Sequence, residues 1–79
     1  MINYEDFPKE HLLELNNNPY HLGRVTINKI KENYFSEIDI IVKESHKIYK
    51  HIDTLYNFED ERDLLETSIQ KLASFVQRK

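Results

Sequence analysis

Apolar positions along the chain recur most regularly between Ser36 and Tyr56, where Ile38, Ile41, Ser45, Ile48, Ile52 and Leu55 follow one another at spacings of three and four. Alternating threes and fours are helical periodicity with a continuous seam. At 100° per residue, Val42, Tyr49 and Tyr56 fall beside that seam and widen it to an arc of about 140°, more than one neighbouring helix covers. The pattern predicts a central helix over 37–56 that packs against more than one partner.

The flanking pattern supplies further helices. Asp6-Phe7-Pro8 reads as a helix start, with Asp6 as N-cap and Pro8 in the first turn, where its missing N–H costs nothing. Leu12, Leu13 and Leu15 then give one apolar side to a helix over 8–16, stopped by Asn16-Asn17-Asn18-Pro19. Gly23, the single glycine, predicts a sharp turn or a positive-φ position. Val25, Ile27, Ile30 and Tyr34 keep helical spacing over 24–33, and Ser36 with Asp39 forms a capping-box variant that separates this helix from the central one. After a turn at Asn57-Phe58-Glu59-Asp60, Leu65, Ile69, Leu72 and Val76 form the seam of a last helix over 60–78, widened by Leu64 and Phe75. The carboxylates of Glu59, Asp60, Glu61 and Asp63 lie at its N-terminal end, and Lys71, Arg78 and Lys79 lie toward the other, as the macrodipole favours. The predicted fold is therefore all-α. It is a small helical bundle forming one domain over 1–79, with a long antiparallel hairpin (37–56 and 60–78) preceded by two shorter helices (8–16 and 24–33).

Size and composition sharpen this picture. A chain of 79 residues buries only about 60% of the surface its unfolded state exposes, and with no cysteine there is no disulfide to supplement the core. Self-association follows as an expectation: a homodimer in which two hairpins meet and bury Val42, Tyr49 and Tyr56 between subunits. The N-terminal segment lacks the apolar run of a signal peptide, and no stretch reaches the roughly 20 apolar residues of a membrane span, which predicts a cytoplasmic protein with no membrane partner. Nine Ile, eight Lys and seven Asn, all from AT-rich codons, point to an AT-rich microbial genome or a phage or mobile element living in one. The net charge of −3 neither requires a basic partner nor forbids an acidic one.

Candidate chemistry is sparse. None of the four histidines has a carboxylate three residues before it or a second histidine four residues away, so no metal site is expected, and the absence of cysteine removes thiol and zinc-thiolate chemistry. Ser45 beside His46 is not a nucleophile with its base, because helical neighbours point about 100° apart. One glycine makes no phosphate-cradling loop, so no cofactor is expected. The expectation is a non-enzymatic protein.

What remains is surface. Ile40, on the outer side of the central helix with Lys43, Lys47 and Lys50, is a candidate protein-binding patch, joined by the interface-type aromatics Tyr20, Tyr34, Tyr49 and Tyr56. Glu59, Asp60, Glu61 and Asp63 form a candidate acidic patch for a basic partner. The predicted function is that of a protein-binding module, in the manner of small inhibitors, immunity proteins, antitoxins or phage proteins that occlude or redirect a partner. The alternative is a helical nucleic-acid-binding regulator using the Lys43/Lys47/Lys50 face.

Overall fold

A computed structural model describes residues 7–77. Four strands and one helix follow in order: β1 (Lys9–Glu14), β2 (His21–Ile30), β3 (Asn33–Val42), β4 (Ile48–Phe58) and α1 (Glu61–Gln77). The strands form one antiparallel meander in the order β1-β2-β3-β4, and α1 lies across β2, β3 and β4. The all-α bundle is thereby overturned: the segments expected as helices over 8–16, 24–33 and 37–56 are strand and turn, and only the last helix forms.

Residue type explains the reversal. Four of the five residues Ile38-Asp39-Ile40-Ile41-Val42 are β-branched, stiff at χ1 and favoured on a pleated surface. The true period is two. Gly23, Val25 and Ile27 of β2 are buried on one side, paired with Ile40, Ile38 and Ser36 of β3, while Arg24 and Thr26 alternate to the other side with Asp39 and Glu37. The three-and-four spacing arises because β3 is apolar on both sides and β4 carries irregularities. Register shifts lie opposite Tyr34/Ser36, Ile38/Asp39 and Ile40/Ile41, and each slips the pleat. Ser45, placed in the supposed seam, belongs to the β3–β4 turn, where His46 N–H donates to the Val42 carbonyl at 2.7 Å and His46 takes φ 63°.

The other punctuation is also turn chemistry. Asn33 ends a two-residue connection, Lys31-Glu32, with Lys31 at φ 56° and Ile30 paired with Asn33. Asn16 to Pro19 does break the chain, between β1 and β2. Asn17 adopts φ 59°, and Asn18 Oδ1 accepts from the N–H groups of Tyr20 and His21, both at 3.1 Å. Asn57, at φ 65°, sits in the last irregular step of β4.

The last helix meets expectation at its start. Asp60 caps it, its Oδ1 accepting from Arg62 N–H at 2.9 Å, with Glu61 and Asp63 in the first turn. Its buried line is Leu64, Ser68 and Leu72, which shares Leu72 with the expected seam, and the seam's Leu65, Ile69 and Val76 flank it. Leu64 packs on Val25 and Ile27; Leu72 packs on Ile38 and Ile40. Between these clusters the Ser36 and Ser68 hydroxyls meet at 2.7 Å, satisfying two groups that burial would otherwise leave unpaired. Gly23 is neither a turn nor a positive-φ residue. It lies within β2 under the helix, where a Cβ would overlap Leu72 Cδ2 and crowd Leu72 Cγ. Asp6, expected as a cap, and Arg78 and Lys79, expected at the end of α1, lie outside the described residues.

The shortest principal extent is 16 Å. Packed layers lie about 10 Å apart, so there is room for a sheet and one helix and no second covering layer. Among the described residues, one side of the sheet carries no helix.

Candidate functional site

The register sets out the helix-free side in rows across the strands. Leu12, Arg24, Asp39 and His51 stand opposite one another, as do Glu10, Thr26, Glu37 and Thr54, and as do Glu14, Leu22, Ile41 and Ile48. Beyond them, Phe35 of β3 stacks with Tyr56 of β4 at 5.9 Å between ring centroids and 20° between planes. Leu12, Ile30, Ile48 and Tyr56 are all exposed.

A polar network holds the middle of this side. Asp39 is only 2% exposed although no helix covers it. Its Oδ1 accepts from His51 Nδ1 at 2.7 Å, and its Oδ2 lies 3.7 Å from the Arg24 guanidinium, which donates to Glu10 at 3.3 Å. His51 Nε2 then meets Thr54 Oγ1 at 2.9 Å. A buried carboxylate must be paired, and these neighbours pair it. An irregular step between the pairs Ile38–Asp53 and Asp39–His51 brings His51 and Thr54 to the same side, three residues apart.

Carboxylate, imidazole and hydroxyl in that order have the connectivity of an acyl-transfer triad. The reaction also needs preorganised donors where an oxyanion develops, and the N–H of Thr54 itself is engaged by Asp53 Oδ1 at 2.8 Å. The network's evident work is to satisfy Asp39. Among the described residues no group of three or more His, Cys, Asp or Glu is placed to hold a metal ion.

The surface candidates from the sequence are dispersed. Ile40, expected on an outer face, is buried against Leu72, because β3 turns it toward the helix. Lys43 and Lys47 lie in the β3–β4 turn, whereas Lys50, opposite Ile40, reaches over the Phe75 ring at 5.9 Å. The three lysines do not share a face. Tyr34 is half-buried against the first core cluster with Lys29 over its ring, Tyr20 is exposed in the β1–β2 connection, and Tyr49 packs on His21 at 4.4 Å. Only Tyr56 of the four lies in the helix-free array described above. In the acidic patch, Asp60 caps α1 and Glu61 pairs with Lys9 at 3.0 Å, while Glu59 and Asp63 are exposed.

Sequence reasoning missed Phe35, Glu37, Asp39, His51 and Thr54 as neighbours. The local sign of a strand here was the β-branched run from Ile38 to Val42, which the helical reading spread around its central helix.

No protein-family model, curated protein or solved structure matches the chain. Among the described residues no helix is long and apolar enough to cross a membrane.

Proposed function

We propose that this is a non-enzymatic protein-binding module that meets its partner through the helix-free side of its sheet. The observation that carries the reading is the side itself. Leu12, Ile30, Ile48 and Tyr56 stay exposed on a four-stranded platform whose opposite side holds the core. A rigid sheet presenting aliphatic and aromatic groups loses little entropy on association, and Tyr is among the residue types that dominate interface energetics. The mode of action is occlusion or redirection of another protein, as in small inhibitors, immunity proteins, antitoxins and phage proteins. A nucleic-acid partner fits this side less well. Phosphates would meet Glu10, Glu14, Glu37 and Asp39 there, and Lys43, Lys47 and Lys50 are not gathered to offset them.

Differential capture tests the reading. Proteins retained from a microbial extract by the wild-type chain and by Glu66→Gln, an exposed change on α1, are expected to be lost from Ile48→Ser/Tyr56→Ser. Retention by the double variant, or equal loss with Glu66→Gln, overturns it. A fluorophosphonate probe is expected to leave Thr54 unmodified, and stoichiometric labelling of that hydroxyl would reopen an enzymatic role.

A further inference from the structure

Charge is divided unevenly between the two sides of the sheet. On the helix-free side the aligned rows hold the four carboxylates of Glu10, Glu14, Glu37 and Asp39 against the guanidinium of Arg24. That surplus equals the −3 of the whole chain. Asp39 and Glu10 are engaged by Arg24, whereas Glu37 is exposed and has no ion-pair partner among the described residues.

The aromatic groups are divided in the same sense. Lys9 lies 5.0 Å from the Phe7 ring centroid, Lys29 lies 5.5 Å from that of Tyr34 and Lys50 lies 5.9 Å from that of Phe75. The Phe35–Tyr56 stack has no cation over it among the described residues, and the Tyr56 residue is 62% exposed. Glu37 stands two residues from Phe35 on the same side of β3, a step of about 7 Å, and its partner across the ladder is Thr54, two residues from Tyr56. A cation resting on the stack therefore has a carboxylate within a side chain's reach.

We infer that the helix-free side takes an extended, arginine-bearing protein segment, with one guanidinium lying on the Phe35–Tyr56 stack and paired with Glu37. The inference rests on the binding reading above and specifies its occupant. Arginine suits the site better than lysine, because a planar guanidinium stacks on a ring and forks toward a carboxylate at once. A second copy meeting this side with its own would oppose two surpluses of carboxylate, and like charges across an interface are strongly disfavoured.

Methyl and aromatic NMR spectra of the full chain, titrated with a capped twelve-residue peptide alternating Arg and Thr, test this directly. Shifts are expected at Leu12, Ile48 and the Tyr56 ring, with Ile38 and Leu64 unmoved. Glu37→Gln and Tyr56→Leu should each weaken the peptide roughly threefold to fivefold, the range of an exposed ion pair or cation–π contact, with the Ile38 and Leu64 signals reporting that both variants fold. Replacing every Arg of the peptide by Lys should weaken it further than the same change made in the presence of Glu37→Gln. If a Gln-for-Arg or Glu-for-Arg peptide shifts the same signals as strongly, the cationic occupant is wrong while the binding side stands. If the arginine peptide at millimolar concentration shifts nothing there, or shifts signals on the helix side instead, the inference is overturned.

Discussion

The two sides of the sheet solve the problem of burial differently. On the covered side, Val25, Ile27, Ile38 and Ile40 are removed from water by Leu64 and Leu72 of α1, and the Ser36 and Ser68 hydroxyls sealed between the two clusters satisfy each other. On the helix-free side the described residues supply no second layer, yet Ile41 and Asp39 are as inaccessible as the core. Asp39 is paired with Arg24 and His51 across the strands. One side is built by packing and the other by pairing, so the first carries the stability and the second has exposed groups to spare for a partner.

The sharpest way to break that comparison is to shorten one isoleucine on each side. Ile38 is fully buried between β3 and the helix, and Ile38→Ala should cost about 2–5 kcal/mol, a large part of what so small a domain has. Ile48 is 57% exposed, and Ile48→Ala should stay within about 0.5 kcal/mol. Urea unfolding followed by circular dichroism measures both. Equal losses would show that the helix-free side is covered after all.

A smaller effect sharpens the account of the covered side. Gly23→Ala places a methyl group where Leu72 rests, and overpacking of this kind costs about 1–3 kcal/mol, less the fraction of a kcal/mol by which alanine is the better strand residue. Leu72→Ala opens the space, so the double variant should be more stable than the two single losses added together, with a coupling of about 0.5–3 kcal/mol. Strict additivity would mean that the helix does not approach β2 this closely.

Gly23 also shows where the sequence was legible and where it was not. As a lone glycine it announced a backbone constraint, but a turn and a close approach look alike until the partner helix is known. The last helix was legible because its acidic start and its apolar periodicity are local, although the buried line proved to be Leu64, Ser68 and Leu72 and the cap Asp60 was not foreseen. The asparagine-rich turn before β2 was legible for the same reason. The strands were not, because their pairing joins residues such as Gly23 and Ile40 that are far apart in sequence, and because an apolar run on both sides of β3 imitates helical spacing. β-Branching in Ile38 to Val42 and the polar run Lys43 to Lys47 were the local signs of a strand followed by a turn. The network around Asp39 was beyond reach, since it depends on the irregular step in β4 that aligns His51 and Thr54.

The smallest effect concerns Asp53, a carboxyl group of the sheet tied to the helix at its exposed rim. Asp53 of β4 accepts from Lys71 Nζ of α1 at 2.8 Å and from the Thr54 N–H. The Lys71 hydrogen bond first, and the Thr54 N–H after it, hold its carboxyl below the usual carboxylate range. A group whose pKa is lowered on folding stabilises the folded state above its unfolded pKa, near 3.9, and that contribution fades as pH falls through the folded value. Asp53→Asn keeps an oxygen acceptor in place and removes only the charge, so the variant should unfold at slightly lower urea than wild type near neutral pH, by less than Gly23→Ala does. The gap should narrow as pH drops below the carboxylate range, and added salt at neutral pH should narrow it too, because the pair is exposed to solvent and screened. A gap that persists unchanged in acid would mean that geometry at the β4 rim, and not the charge on Asp53, is what Lys71 responds to.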